Sequence, residues 1–598
     1  MVLLNRAAVS PARDTVLATL GAAALVLGII AAYGPALYGG FLFDDDSLLI
    51  NSATVKAADG LYRIWFTTDP IDYWPITNSS FWIEWRLWGP KPLGYHVTNV
   101  MLHACSALVL WSVLRRLSIP GAWLAAAVFA LHPVNVQSVA WIAQRKNTLA
   151  LLFFLLSVHQ FVASEDTGRR PPYWLSVAFF LLAMLSKGSV ATLPVMLLLL
   201  VWWRRGSLNL RDVRRALPYF AVAIALTLVN LWFQSRMEGG TRDLTMLPRL
   251  LGAAAIAWFY ALKAVAPLDL TFMYPQWSIQ ASEWRWWLPL LGAAAITVLL
   301  MWRRRDDVAR HLLFAWGFFC LALLPVMGFT DTYFMKYALV ADHYQYIAII
   351  AVAAAAAAGA YRWLPHRLRG AIGVAVIAVL GAMTWSQAHV YADAETFYRT
   401  AIDRNPNVAV LHNNLGAALL ERETTEEAAA HLRQALRLQP DFALAHNNLC
   451  NAAARLGSAL EAISECTAAL QNEPGRASLR TSLAIALAAV GRLTEAREEF
   501  EVALRLNPSS TQARDGFIGV LHELGDQLLA GGRTDEAIRE YEEALRRDPG
   551  LAETHNNLAV ALARQGRHVQ AIEHLRMAVK LEPGNPEFQA NLSRLLSR

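Results

Sequence analysis

Charged residues and cysteines are both scarce in this 598-residue sequence. Only 17% of the residues are charged while 56% are hydrophobic, which excludes one ordinary soluble domain. Four cysteines are too few and too scattered for a disulfide framework or a metal-binding motif. Two of them, Cys450 and Cys466, fall on paired helices of one predicted repeat. They either form a bridge in an oxidising compartment or are two buried small side chains.

The charges that are present divide the chain in two. Residues from Asp393 onward carry 22 basic and 28 acidic side chains, whereas the preceding part carries 31 basic and 19 acidic ones. The overall net charge of +6 therefore sums two opposite balances and does not indicate a nucleic-acid partner. The basic excess lies in short loops beside apolar runs, where it reports orientation in a lipid bilayer.

Residues 1–388 contain about twelve hydrophobic segments, and a spanning helix needs ~20 apolar residues. If the segment 249–266, which contains Lys263, is re-entrant or interfacial, about eleven crossings remain. Every arginine cluster then lies in the cytoplasm, as the positive-inside rule requires. This topology predicts a cytoplasmic N-terminus, an outer C-terminal region, and polar loops that converge on the outer face. The tryptophan-rich loop 65–88 and the cluster Trp284–Trp287 are interpreted as interfacial belts.

Residues 389–598 repeat with the 34-residue period of tetratricopeptide (TPR) units, each of which is a pair of antiparallel helices. Prolines follow this period, with one interval of 41 that places seven extra residues near 517–529; they are Pro406, Pro440, Pro474, Pro508, Pro549 and Pro583. Small residues recur in phase and predict close helix packing; they are Ala428, Ala462, Ala496, Ala537 and Ala571, with Ala435, Ala469, Ala503, Ala544 and Ala578. The pattern predicts about five repeats, a leading helix at 389–405 and a C-terminal capping helix.

A TPR stack presents a concave groove lined by the first helix of each repeat. Three of these helices carry the sequence His-Asn-Asn-Leu, and their amides either bind the backbone of an extended peptide or tie neighbouring repeats together. The candidate groove residues are Asn413, Asn414, Asn447, Asn448, Asn556 and Asn557.

Polar motifs in the first part follow one another in a specific order. Phe43-Asp44-Asp45-Asp46 comes first, then Tyr95-His96 with Asn99 and His103, then a stretch from His132 to Lys146. Ser186-Lys187 and Ala341-Asp342-His343-Tyr344 complete the series. In this order, followed by TPR units, the chain resembles the transmembrane and TPR-containing protein O-mannosyltransferases and their bacterial relatives, of the GT-C class of glycosyltransferases. The resemblance covers nearly the whole length. The expected fold is all-α: a polytopic GT-C-like transmembrane bundle (1–388) followed by a TPR α-solenoid (389–598).

The resemblance implies transfer of a sugar, mannose or a similar one, from a polyprenyl-phosphate donor to a Ser/Thr hydroxyl of a protein held by the TPR groove. It gives Asp44 or Asp45 the role of general base, which an ionised aspartate can fill. Cations at the membrane boundary suit the phosphate leaving group, and the candidates are Lys187, Arg145 and Lys146. Sugar binding or loop positioning is expected of His96, Asn99, His132, Asp342, His343 and Tyr344.

Two departures from the family pattern bear on the donor. Gln137 stands where relatives often carry Glu, and His343 where they often carry Arg; a neutral imidazole cannot replace a guanidinium fork. No cofactor is certain, although an aspartate cluster can bind Mg²⁺ or Mn²⁺. The expected location is a bacterial inner membrane with periplasmic repeats, or the endoplasmic reticulum lumen in a eukaryote. The alternatives are a non-catalytic membrane scaffold for envelope proteins, or a transferase with a lipid or polysaccharide acceptor.

Overall fold

The computed structural model describes residues 11–236, 245–330 and 333–597. Within these ranges the chain is helical and contains no β-strand, which confirms the expected all-α class. It divides into two units, Met1–Pro406 and Asn407–Arg598. The division falls later than residue 388, because the helix Ala394–Arg404 groups with the first unit rather than with the repeats.

The first unit is a bundle of long apolar helices with several shorter helices between them. Its helices are α1 (Pro11–Tyr33), α2 (Ala53–Lys56), α3 (Gly60–Phe66), α4 (Pro75–Trp88), α5 (Pro92–Arg116), α6 (Ala122–Ala130), α7 (Val136–Ala140), α8 (Arg145–Thr167), α9 (Arg170–Ser186), α10 (Leu193–Arg205), α11 (Leu210–Gln234), α12 (Met246–Val265), α13 (Trp287–Trp302), α14 (Asp307–Leu323), α15 (Ile349–Trp363), α16 (His366–His389) and α17 (Ala394–Arg404). Short 3₁₀ turns at Pro133–Asn135, Ile142–Gln144, Gly188–Val190 and Asp342–Gln345 connect several of them.

Seven helical segments within the described ranges are long and apolar enough to cross a membrane. They are Thr15–Tyr38, Pro92–Arg116, Ile142–Thr167, Leu210–Gln234, Trp284–Trp302, Asp307–Val326 and His366–His389. An eighth arises if the bent pair Ala122–Ala130 and Pro133–Ala140 counts as one span. Helices α9, α10 and α15, which the sequence pattern counted as crossings, are shorter than 18 residues. Eleven crossings therefore stay a prediction.

The structure places a broken helix where the sequence pattern did not expect one. The helices α6 and α7 are bent by 51° at a short break that contains His132 and Pro133, as in a broken span or a re-entrant loop. Proline explains the break, since it disfavours a helical conformation in the residue before it. The segment 249–266, predicted to be re-entrant or interfacial, falls on the continuous 20-residue helix α12, which is not among the seven candidate spans. A re-entrant break is not found in this helix, and an interfacial position stays a prediction.

The second unit consists of five helix pairs and a terminal helix, as the repeat pattern predicted. The pairs are α18 (Ala409–Glu421) with α19 (Thr425–Leu438), α20 (Ala443–Arg455) with α21 (Ala459–Asn472), α22 (Ala477–Ala489) with α23 (Leu493–Leu506), α24 (Thr511–Ala530) with α25 (Thr534–Arg547), and α26 (Ala552–Arg564) with α27 (His568–Leu581), followed by α28 (Pro586–Leu596). The helix α24 has 20 residues where α18 has 13, so the seven extra residues lengthen a first helix.

The in-phase small residues explain how each pair packs. All ten of the predicted alanines are at most 2% exposed. Gly416 and Gly525 take part in the same packing, because a Cβ atom there would lie 2.6 Å from Leu432 and 2.5 Å from Tyr541. The recurring proline lies two residues beyond the end of each second helix, where it cannot continue the helix.

The two cysteines of the second repeat form a disulfide bond. Cys450 on α20 and Cys466 on α21 are fully buried, and their Cα atoms are 4.9 Å apart. The bridge therefore joins the two helices of one repeat across their packed interface. Of the two predictions for this pair of cysteines, the structure agrees with the disulfide.

Candidate functional site

Asp45 holds the first polar loop in place. Its side chain is fully buried, and its two carboxylate oxygens accept hydrogen bonds from the backbone N–H groups of Leu42 (2.8 Å) and Ala143 (2.6 Å). Burial raises the pKa of Asp45, while these two N–H groups oppose the rise. Because both oxygens are engaged, Asp45 is placed as a loop anchor rather than as a base open to substrate.

Arg145 is buried in the same framework. Its guanidinium pairs with Glu84 at 2.7 Å and donates to Asn99 Oδ1 at 2.5 Å and to the carbonyl of Tyr95 at 2.9 Å. Its side chain has no exposed surface. The prediction that Arg145 binds a donor phosphate is therefore not supported by its position, since protein groups satisfy its donors and shield it from any ligand.

The predicted positioning residues His96, Asn99 and His132 also serve the framework. His96 Nε2 lies 3.1 Å from the carbonyl oxygen of Gly39, and Asn99 donates to the carbonyl of Trp141 at 3.2 Å. His132 lies at the break between α6 and α7, with Nε2 3.1 Å from the carbonyl oxygen of Ala264 on α12. All three are buried. They fix the loops that carry the site, and none is placed to bind a sugar directly.

Asp44 lies on the accessible side of this framework. The residue before it, Phe43, has a φ of +50°, a conformation that non-glycine residues rarely adopt and that is often found at functional sites. Asp44 is half-buried. Burial raises the pKa of its carboxyl group, and the positive charge of Lys146 opposes that rise. A carboxylate with a raised pKa and a cation nearby is a suitable general base.

Lys146 lies near Asp44, and its charge also acts on Lys187. The amine of Lys187 donates to Asn147 Oδ1 at 2.6 Å, and the amine of Lys146 lies 4.7 Å from the ring centroid of Trp74. Burial lowers the pKa of Lys187 well below its ordinary value; the charge of Lys146 lowers it further and that of Asp72 raises it. Two lysines beside a carboxylate, both half-buried, form a site that favours an anionic ligand.

Asp72 is a member of this cluster that the sequence pattern did not single out. It lies in the loop between α3 and α4, within the tryptophan-rich stretch interpreted as an interfacial belt. Burial raises the pKa of Asp72. The positive charges of Lys146 and Lys187 lower this pKa, and the negative charge of Asp44 raises it. The side chain of Asp72 also forms a hydrogen bond with Gln234. Only the structure shows that Asp72 belongs to this cluster, because no local sequence motif marks it.

His343 is the neutral member of the cluster. Its backbone N–H donates to Gln137 Oε1 at 3.0 Å, its carbonyl accepts from Asn147 Nδ2 at 3.3 Å, and its buried Nδ1 has no partner in the structure. Burial lowers its pKa well below the ordinary value, and Lys187 and Lys146 lower it further. Gln137 and His343, the two positions at which the resemblance predicts a departure from the family pattern, are therefore in direct contact.

Asp342 and Tyr344 flank His343 in different environments. Asp342 is buried, accepts a hydrogen bond from the hydroxyl of Tyr274 at 2.8 Å, and has a pKa raised to about 7 by burial. Tyr344 is half-buried, with its ring centroid 4.4 Å from that of His343. Asp342 thus holds the turn from its buried side, while Tyr344 keeps exposed surface.

The asparagines of the repeat unit bond to one another and to neighbouring repeats. Asn448 donates to Asn413 at 2.9 Å, and Asn591 donates to Asn556 at 2.9 Å, each across one repeat boundary. Asn413, Asn447 and Asn556 are buried, whereas Asn414, Asn448 and Asn557 are half-buried. Asn413, Asn448, Asn556 and Asn557 thus take part in ties between repeats, whereas Asn447 accepts a bond from Asn451 on its own helix. The half-buried Asn414, Asn448 and Asn557 also keep surface that a peptide could contact.

Among the described residues, no group of three or more His, Cys, Asp or Glu side chains is arranged to hold a metal ion. The local charges agree with this, because Asp45 has no oxygen to spare and Lys146 stands beside Asp44.

Family models match the second unit. A Tetratricopeptide repeat model matches residues 386–441 and 522–586, and a Bacterial transcriptional activator domain model matches residues 437–507. Both matches fall on or next to the helix pairs described above. The structure of YrrB, a TPR protein with an unusual peptide-binding site, is 24% identical and covers 33% of this chain and 97% of its own, with a TM-score of 0.27.

Curated relatives extend the similarity into the membrane unit. A Protein O-mannosyl-transferase of Caenorhabditis elegans is 23% identical over 433 residues, which are 67% of this chain and 60% of the relative. The predicted family resemblance is confirmed. Protein O-mannosyl-transferase TMTC1 of Mus musculus is 33% identical over 190 residues, 29% of this chain and 20% of its own. The chain thus matches 60% or less of the length of these two relatives.

Proposed function

We propose that this protein is a membrane glycosyltransferase that moves mannose or a similar sugar from a polyprenyl-phosphate donor to Ser/Thr hydroxyls of a protein. The proposal rests on one cluster of charges from distant parts of the sequence, in which Lys146 acts on Asp44 and also on Lys187. The names of the relatives, which are protein O-mannosyl-transferases, agree with it.

The cluster supplies the two kinds of group that the transfer needs. The hydroxyl oxygen of the acceptor forms a bond to the anomeric carbon of the sugar while its proton passes to Asp44. The bond between that carbon and the phosphate oxygen breaks, and the electron pair leaves with the lipid phosphate. Lys187 and Lys146 stabilise the charge that develops there. Asp45 and Arg145 act by positioning the loops and touch neither substrate.

An apolar cleft in the bundle is consistent with a lipid-linked donor. Its volume is about 460 Å³, and it runs from Leu193 and Ile350 to Trp363 along α5, α8, α10, α14 and α15. Leu193 follows Lys187 closely in the chain, and Ile350 follows His343. A polyprenyl chain entering at that end would place its phosphate near the two lysines.

The donor set gives no reason to invoke a resident divalent metal. Lys146 beside Asp44 repels a cation, and both Asp45 oxygens already accept hydrogen bonds from backbone N–H groups. No step is therefore assigned to Mg²⁺ or Mn²⁺, and turnover is expected to persist in EDTA.

Two observations support an outer location for the repeats, which we propose lie in the periplasm of a bacterial inner-membrane protein or in the lumen of the endoplasmic reticulum. The arginine clusters favour a cytoplasmic N-terminus. The disulfide between Cys450 and Cys466 needs an oxidising compartment to form and persist. In that location the half-buried Asn414, Asn448 and Asn557 are available to recruit an acceptor polypeptide.

Mass spectrometry of envelope proteins tests the proposal. Cells that lack the gene are complemented with the wild type, with Asp44→Asn, or with the adjacent exposed Asp46→Asn as a matched control. We expect hexose on Ser/Thr residues with the wild type and the control, and its loss with Asp44→Asn. Unchanged protein glycosylation in all strains would favour a non-catalytic scaffold, and a change confined to envelope glycans or lipids would identify a different acceptor.

A further inference from the structure

Asp72 occupies a place in the candidate site that the proposed chemistry has not used. Three contacts hold the segment that follows Asp72, two of them next to the lysines. The hydroxyl of Thr77 donates to the carbonyl of Ser186, next to Lys187, at 3.0 Å, and the ring of Trp74 lies 4.7 Å from the amine of Lys146. On its other side, the ring centroid of Tyr73 lies 5.3 Å from that of Phe233 on α11. The chain that directly follows Asp72 is therefore fixed both toward the lysines and toward α11.

The two lysines need a compensating charge. Each is half-buried, and like charges held close together in a partly dry environment destabilise one another. The amine of Lys187 bonds to a neutral amide oxygen, that of Asn147, which supplies a dipole but no charge. Asp44 acts on Lys146, whereas Asp72 is the carboxylate whose charge acts on both lysines.

We propose that Asp72 is a positioning residue that holds Lys146 and Lys187 as a cationic pair for the phosphate of the donor. This inference rests on the proposed function and deepens it, since it assigns the anion site to two lysines and one supporting carboxylate. The two acidic residues of the cluster then have different roles: Asp44 receives the proton of the acceptor hydroxyl, and Asp72 does not contact the acceptor. Burial lowers the pKa of the Lys187 amine, and the charge of Asp72 opposes this effect. Asp72 therefore favours the protonated, cationic form of Lys187.

The first measurement does not depend on turnover. The full-length protein in detergent is treated with a small amine-methylating reagent over a range of pH, and mass spectrometry follows the labelling of Lys187 in the wild type, Asp72→Asn, Asp72→Glu and Asp69→Asn. Asp69 is a matched control because it lies in the same loop, is exposed and pairs only loosely with Arg63, at 3.9 Å. We expect the labelling midpoint to fall in Asp72→Asn and to stay near the wild-type value in Asp72→Glu and Asp69→Asn. An unchanged midpoint in Asp72→Asn would overturn the proposal.

The second measurement uses polyprenyl-phosphate-mannose as donor and a Ser/Thr peptide as acceptor. In Asp72→Asn the KM for the donor is expected to rise about tenfold at neutral pH, the factor that corresponds to one unit in a protonation equilibrium, and to recover at lower pH where Lys187 is charged again. A loss of kcat at every pH with an unchanged KM would contradict a positioning role. If the wild type does not turn over, the proposed function fails, and the labelling experiment still decides the role of Asp72.

Discussion

The role of Arg145 leads to the sharpest prediction, because a phosphate ligand and a buried structural arginine respond differently to substitution. Arg145→Gln removes the partner of Glu84, whose side chain is only 7% exposed. Removing one partner of a buried ion pair leaves an uncompensated charge and costs about 3–5 kcal/mol. We therefore expect the free energy of unfolding to fall by about that amount, together with loss of the bonds to Asn99 and to the Tyr95 carbonyl.

The assay is thermal unfolding of the purified protein in detergent, combined with donor binding. Lys146→Gln is the control, since this neighbour lies on the open side of the same turn, and its loss of stability should stay within about 1 kcal/mol, the value of its contact with Trp74. Adding Glu84→Gln to Arg145→Gln should restore part of the stability, because the buried charge is then removed. A stable Arg145→Gln protein that fails to bind the donor would refute the reasoning and return Arg145 to the phosphate site.

Three further predictions concern Asp45, Asp342 and the disulfide of the repeat unit. Asp45→Asn should destabilise the protein by about 1–3 kcal/mol in the same unfolding assay, since one of two buried N–H groups loses its acceptor. The pKa of Asp342 is about 7 in the fold against an ordinary 3.8, so its contribution to stability is complete below about pH 4 and lost as the pH rises through 7; Asp342→Asn should flatten that dependence of the unfolding midpoint. Replacing Cys450 and Cys466 together with serine should lower the stability of the repeat unit by about 3 kcal/mol, and a reductant should do the same to the wild type but not to the variant.

The repeat unit could be predicted almost completely because its signals are local. Proline ends each second helix, and alanine recurs where two helices touch, so each signal and its structural cause lie in the same repeat. The membrane unit was less predictable. Hydropathy shows that a segment is apolar, yet it does not show that Met246–Val265 runs without a break while a proline bends the chain near His132.

In the candidate site, the sequence indicated which residue types take part, but it could not predict which of them are buried and which are accessible. Asp44 and Asp45 are neighbours with the same side chain, and only the fold shows that Asp45 caps two backbone N–H groups while Asp44 stays accessible. Arg145 and Lys146 are likewise adjacent and point to different sides of one turn. Asp72 had no signal at all, because its partners come from residues that are distant along the chain.

The central claim is that Asp44 is the base of a sugar transfer supported by two lysines. Its most direct test is the transfer of labelled mannose from polyprenyl-phosphate-mannose to a Ser/Thr peptide by the purified full-length protein, with Asp44→Asn compared against Asp46→Asn. We expect a loss of at least about a hundredfold in kcat for Asp44→Asn, the usual contribution of a general base, and near wild-type turnover for Asp46→Asn. Equal turnover by the two variants would contradict it.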